Sequence, residues 1–394
     1  MPADVNDRRL LQGASDGNFD LVKAALQAGA SVNGPLEQPC PPIVPATIAD
    51  HAGIVELLLE HGADPDIPVT EELPHPCPTS DMAAAAPGDR ALHIAARNGK
   101  VEIVRLLLER ARANPNATDD KGGTPLLAAC DSSHVHVEVV RLLLGAGADP
   151  ALAETNGIIP LHVVAYRGNM DLVESLHSRA PATLNRSASK GQTPLFLACV
   201  GGHDRVVSRL LSLGAVQPLP ADDSSRMLPL SVAVSKGFLG VVRVLINEGG
   251  VKAVGGRNAL PDALYTAVQA DQARILRLLL AASGEDRRSE WANTNIEGRH
   301  LLHYAAGFCC RTAVGVLLEA GADEAARDSE GRIPRDVIGM DIGRGGGVRI
   351  DRGKEDAIRR MLQLGLAYRA RSWAWPSDEA DAGGGGDSGA TNAV

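Results

Sequence analysis

The feature that most constrains this chain is an internal repeat. A landmark residue, almost always leucine, falls at Leu10, Ile43, Leu92, Leu126, Leu161, Leu195, Leu230, Leu264, Leu302 and Arg335. The steps between them are 33, 49, 34, 35, 34, 35, 34, 38 and 33 residues. A second landmark, the start of a Leu-rich block, follows 14 residues later in eight of the ten units, as at Leu106, Val244, Leu278 and Val316. Two landmarks that keep one spacing while the total length varies mark a structural unit copied along the chain. A unit this short cannot bury its own apolar face, so the copies must stack in a line around a shared core.

Each unit reads as two short helices. The first, of about ten residues, runs from a proline to a glycine such as Gly99, Gly168 or Gly202. Proline suits the first helical position, where its missing N–H would be unpaired anyway. Glycine suits the helix end because it accepts a left-handed backbone. The second helix carries apolar residues at helical spacing, as in Val101, Ile103, Val104, Leu106, Leu107 and Leu108. Gly-Ala-Asp then closes the unit at Gly62-Ala63-Asp64, Gly147-Ala148-Asp149 and Gly321-Ala322-Asp323, opening a hairpin-like turn.

These residues resemble the ankyrin repeat. The signatures are Thr124-Pro125-Leu126, Thr193-Pro194-Leu195, Leu92-His93, Leu161-His162 and Leu302-His303, with the Gly-Ala-Asp turns. The resemblance implies an all-α solenoid of about ten helix–turn–helix units with hairpin-like loops over residues 1–366. Two departures stand out. The first unit has charges before Leu10, as a solvent-facing cap would. The seventh and eighth, Pro229-Leu230-Ser231 and Ala263-Leu264-Tyr265, lack the histidine and are expected to pack loosely.

Insertions and ends follow from the irregular steps. Residues 67–88 hold Pro68, Pro74, Pro76, Pro78 and Pro87, which bar helix and sheet interiors and predict an exposed loop. A Gly-rich insertion spans 339–353, with the last helix expected at Glu355 to Leu364. Residues 367–376 carry Trp373 and Trp375 beside Tyr368, Arg369 and Arg371. This pair either caps the open end of the last unit or docks a partner. Residues 377–394 read as an acidic, Gly-rich disordered tail.

Composition narrows the function. A net charge of −9 argues against direct nucleic-acid binding, which needs a basic field. No apolar run is long enough for a membrane span. The N-terminus lacks a signal-peptide pattern, and the six cysteines, with no CxxC pair, read as reduced thiols of a cytoplasmic or nuclear protein. Catalytic motifs do not emerge, and repeats starting near residue 7 leave no room for a fused enzyme. The competing class is a metal- or thiol-dependent enzyme built on His134 and His136, or on Cys309 and Cys310. In the family, the histidines at positions 93, 162 and 303 bond backbone of the next repeat, which makes them structural. Cys130 and Cys199 sit at core positions as buried thiols. No cofactor is expected.

The remaining reading is a non-enzymatic scaffold or adaptor, monomeric alone, that holds a protein partner. A transcriptional coregulator acting through a DNA-binding partner is the alternative. The resemblance implies contacts from residues just before the interhelix glycine and from the turn tips. Those positions hold Arg97, Asn98, Asp131, Tyr166, Arg167, Lys236, Gln269 and Phe308 on the first helices. The turns add Asp120, Lys121, Asn156, Ile158, Lys190, Gln192 and Arg299. Aromatics and Arg dominate interface hot spots, and aromatics are 3% of this chain, so Tyr166-Arg167 and Phe308 draw attention. Trp291, in the long turn from Ser283, either folds under that turn or anchors a ligand.

Overall fold

The computed structural model describes residues 5–34, 40–70, 85–131, 136–216, 228–249, 259–282, 285–340 and 352–363. Trp373, Trp375, His134 and the whole of 367–394 lie outside them. The chain divides into two compact units, Met1–Leu210 and Leu211–Val394.

The first unit is a stack of helix pairs. They are α1 (Val5–Asp16) with α2 (Phe19–Gln27), α3 (Ile43–Ile48) with α4 (Ala52–Glu60), and α5 (Ala91–Arg97) with α6 (Val101–Glu109). Then follow α7 (Pro125–Asp131) with α8 (Val137–Gly145), α9 (Pro160–Arg167) with α10 (Met170–Arg179), and α11 (Pro194–Gly201) with α12 (Asp204–Ser212). First helix packs on first helix and second on second, as in α5 on α7 and α6 on α8. The first helices are mostly seven or eight residues long rather than ten, because the turn back to the second helix starts before the glycine.

The second unit pairs α13 (Pro229–Ser235) with α14 (Leu239–Val244), and α15 (Ala259–Gln269) with α16 (Ala273–Ala282). After α17 (Glu285–Ala292) come the two-residue strands β1 (Asn295–Ile296) and β2 (Arg299–His300), paired antiparallel, then α18 (Leu301–Gly307) and α19 (Arg311–Glu319). A 3-10 turn at Pro334–Val337 and α20 (Arg352–Gln363) complete it. The last helix thus begins three residues earlier than its sequence pattern suggested. The tenth landmark also differs: Arg335 is exposed and Val337 is buried in its stead, since a charged side chain enters a core only when paired.

The landmarks are the core. Leu10, Leu126, Leu195, Leu264 and Leu302 are wholly buried, and Ile43, Leu92 and Leu161 nearly so. Truncating any of them to alanine costs about 2–5 kcal/mol, the range for a buried leucine. Units seven and eight fill their core as well: Ala233, Val234, Ala263, Leu264, Ala267 and Val268 are fully buried. Their departure from the pattern is polar. The Ser231 hydroxyl, in the histidine place, is buried without a partner among the described residues, while Tyr265 stacks edge-on against Tyr304 with ring centroids 4.9 Å apart.

Polar ties join successive repeats. The N–H of Arg90 donates to His93 Nδ1, so the ring proton sits on Nε2 and is donated to Gly123 O of the next repeat at 3.1 Å. His162 repeats this, with Nε2 3.0 Å from Arg186 O and 3.1 Å from Gln192 O. His303 Nε2 reaches Arg332 O. At the turns, Asn33, Asn116 and Asn293 accept the backbone N–H of Asp64, Asp149 and Asp323 one repeat on.

Two expectations need correction. The ends of the 67–88 insertion are part of the fold: Val69 is 1% exposed, its N–H donates to Asp89 O, and Gly88 N–H donates to Val69 O. Residues 71–84 lie outside the described residues. Trp291 is on α17, not in a turn, and is half-buried with the Arg287 guanidinium 5.4 Å from its ring centre. The charge-rich stretch hid the helix from an apolar-period reading; Arg287 and Glu290 pair across one turn of it.

Candidate functional site

The first-helix side of the Met1–Leu210 unit carries two clefts that share a wall. One, of about 490 Å³, is lined by residues of α5 and α7 and the turns beside them, including Arg97, Asp119, Asp120, Lys121 and Thr124. The other, of about 300 Å³, lies between α7, α9 and α11 and is lined by Ile158, His162, Val163, Tyr166 and Leu197. Leu127, Asp131 and Glu154 line both, so the clefts form one continuous surface.

Local structure sets each side chain on this surface. Tyr166 sits in the last turn of α9 and is 46% exposed, a large aromatic left outside the core. Beside it, the Arg167 guanidinium donates to Asp131 O at 2.8 Å and lies 3.4 Å from the Asp131 carboxylate, tying the C-terminal turn of α7 to α9. Arg97 makes a two-pronged contact with Asp89, at 2.6 and 2.9 Å. Asp89 is fully buried, so Arg97 is first a counter-charge that a buried carboxylate requires. Asn98 caps α5 by donating its amide to Ile94 O. Asp120 and Lys121 are exposed at the turn tip. Asn156 accepts Ile158 N–H on its side chain and, on its carbonyl, the N–H and hydroxyl of Ser189 in the next turn. Gln192 is half-buried and its carbonyl accepts from His162; the Lys190 side chain lies outside the description.

The sequence-marked residues of the other unit are apart from this surface along the chain. Lys236 and Gln269 are exposed at their helix ends. Phe308 packs into a cluster with Tyr265 and Tyr304, at 6.3 and 6.1 Å between ring centroids. Arg299 lies 3.2 Å from Glu330 and 3.9 Å from Asp328, whose carboxylate is bound by Arg332.

The thiols and imidazoles are tuned for structure. Burial pushes the Cys130 and Cys310 thiols up to about 12, and Cys309 upward as well, away from the thiolate form that reacts. Burial also lowers His93, and takes His162 down to about 4, so both rings are neutral backbone donors at pH 7. Among the described residues, no group of three or more His, Cys, Asp or Glu is placed to hold a metal ion. No helix among them is long and apolar enough to cross a membrane.

Comparison with known proteins matches this architecture. A family model described as ankyrin repeats (3 copies) matches residues 69–154 and 161–255, and the single ankyrin-repeat model matches 46–68. The chain belongs to the ankyrin-repeat family. Its ankyrin relatives include the E3 ubiquitin-protein ligase KEG of Arabidopsis thaliana, 28% identical over 264 residues, which are 64% of this chain and 16% of that protein. The ankyrin repeat protein nuc-2 of Neurospora crassa is 24% identical over 62% of this chain and 22% of its own length. The ankyrin repeat and KH domain-containing protein mask-1 of Caenorhabditis elegans is 29% identical over 44% of the chain and 7% of its own. The chain therefore spans less than a quarter of the length of these relatives. Ankyrin repeats are in general protein-interaction modules.

Several residues that shape the ankyrin surface escaped the sequence reading. Glu154 and Leu127 line both clefts, and Val163 and Leu197 floor the second, yet none occupies a family contact position. Glu154 lies two residues before Asn156 in the same turn, held by bonds of its N–H and carbonyl to Ile158 and Gly157. A second miss is a seam between repeats. In several repeats the residue just before the second helix leans on the left-handed turn of the preceding repeat. A β-carbon added to Gly99 would lie 2.3 Å from the His136 ring, and one on Gly168 would lie 2.3 Å from His203. His203 Nε2 also donates to Tyr166 O at 2.8 Å, and Lys100 pairs with Asp50 at 3.0 Å. His136 is thus part of the packing against Gly99.

Proposed function

We propose that this ankyrin-repeat protein is a non-enzymatic scaffold that binds a protein partner along the first-helix and turn side of its repeats, which is the concave face in the family. The observation that carries this reading is the pair of joined clefts flanked by Tyr166, an aromatic left 46% exposed in a chain with few aromatics. Tyrosine offers large contact area with two torsions to freeze, which is why it recurs at binding hot spots. The stacked repeats hold the surface in shape beforehand, so binding orders few groups. A coregulator working through a DNA-binding partner is one specific form of this role, supported by no particular residue.

The test is affinity capture from cell extract followed by mass spectrometry, comparing wild type with the Tyr166→Ala, Arg167→Ala double variant. Specific partners should be lost while thermal unfolding moves by no more than a few degrees, as for surface substitutions. A protein captured equally by both would place the interaction elsewhere.

A further inference from the structure

We propose that the joined clefts take a cationic, extended segment of the partner, with a Lys or Arg side chain bound between Glu154 and Asp131. This deepens the scaffold reading above and rests on it. The lining is apolar at its floor and anionic at its rim. Leu127, Ile158 and Val163 supply the floor. Asp119, Asp120, Asp131 and Glu154 outnumber the cations of the lining, Arg97 and Lys121; Arg97 is already bound to buried Asp89, and Arg167 beside the cleft reaches Asp131 but not Glu154.

Glu154 decides the sign. It is half-buried, it lines both clefts, and its carboxylate has no partner among the described residues. A carboxylate partly withdrawn from water without a counter-ion is left under-solvated, and an incoming cation relieves it. The long stem of Lys or Arg suits the apolar floor, because such chains lay their methylenes on apolar surface while the charged head reaches a carboxylate. Tyr166 adds a ring face for that cation. An anionic partner would meet the same rim as like charge.

Panning a phage-displayed random heptapeptide library on the full chain tests this, with each recovered peptide then measured by fluorescence anisotropy. Wild type is compared with Glu154→Gln, Tyr166→Ala and Glu109→Gln. Glu109, on α6, is an exposed acidic residue away from the clefts, so its variant changes net charge equally. Recovered peptides should carry Lys or Arg. They should bind Glu154→Gln about tenfold more weakly, the scale of losing one charge-assisted contact, and Glu109→Gln as wild type does. Acidic or uncharged peptides that lose binding in Tyr166→Ala but not in Glu154→Gln would overturn the cationic assignment and leave the scaffold surface standing. Equal weakening in Glu154→Gln and Glu109→Gln would reduce the effect to bulk charge and overturn it too. Peptides indifferent to all three changes would overturn both readings.

Discussion

The two halves of the molecule bury the same landmark leucines but join their repeats with different chemistry. In Met1–Leu210, His93 and His162 bridge to backbone of the next repeat, and the imidazoles of His136 and His203 press on the preceding turn glycine. In the second unit His303 keeps the bridge, to Arg332 O, but Ser231 and Tyr265 stand where the other two histidines would be, and Gln272 takes the turn position beside Gly237. Aromatic contacts among Tyr265, Tyr304 and Phe308, and the Asp328–Arg332 pair, are added to that one bridge. Apolar burial sets the stack, and the polar seam varies between repeats, down to a Ser231 hydroxyl that finds no partner among the described residues.

The comparison can be broken in four ways. Leu161→Ala and Leu264→Ala should each cost about 2–5 kcal/mol, measured by amide exchange so that each unit reports separately. If only one of them registers, the cores are not equivalent. Gly168→Ala should cost about 2–4 kcal/mol, because it combines left-handed strain with a clash against His203. Gly237→Ala should cost only about 1 kcal/mol, since a flexible glutamine amide 3.2 Å away can shift. Equal costs would show that the imidazole seam is not rigid.

Acid should weaken the first unit. Burial holds His162 near 4 in the folded chain, against about 6.5 when unfolded. The unfolded state therefore takes up a proton first. The histidine contributes its full stability above about pH 6.5 and loses it as pH falls towards 4, by about 2 kcal/mol at pH 5. Thermal unfolding at pH 7.5 and 5 should show this, and His162→Gln should flatten the slope; an unchanged slope would mean that the ring is solvated. The smallest effect is Ser231→Ala, expected within about 0.5 kcal/mol of neutral or slightly stabilising, because it removes a buried hydroxyl with no bond among the described residues. A clear loss in chemical denaturation would mean that this hydroxyl has a partner.

Most of the architecture was legible because its cause is periodic. Leucine at one face, proline at the first turn and glycine at the αL turn repeat with the helix, and each leaves a mark in the sequence. Where the period fails, legibility fails. Arg335 kept the spacing but not the burial, and α17 formed from charges with no apolar stripe. On the candidate surface, Tyr166, Arg167, Asp131 and Ile158 were readable from position within the repeat. Glu154 was not, since its importance lies in having no counter-charge, a property of three-dimensional neighbours rather than of spacing. His136 misled for the same reason: its neighbour Gly99 is a repeat away.

The seam has a consequence for splicing such arrays. Three second helices are preceded by a residue matched to the bend of the module before it: Lys100 to Asp50, His136 to Gly99, His203 to Gly168. Excising one repeat, Leu92 to Pro125, would bring the imidazole of His136, meant for a bare glycine, onto Asp50, an aspartate already in a left-handed bend. Modules of this chain are therefore exchanged without penalty only when the cut carries both faces of a joint, which makes the heritable building block the junction and not the motif.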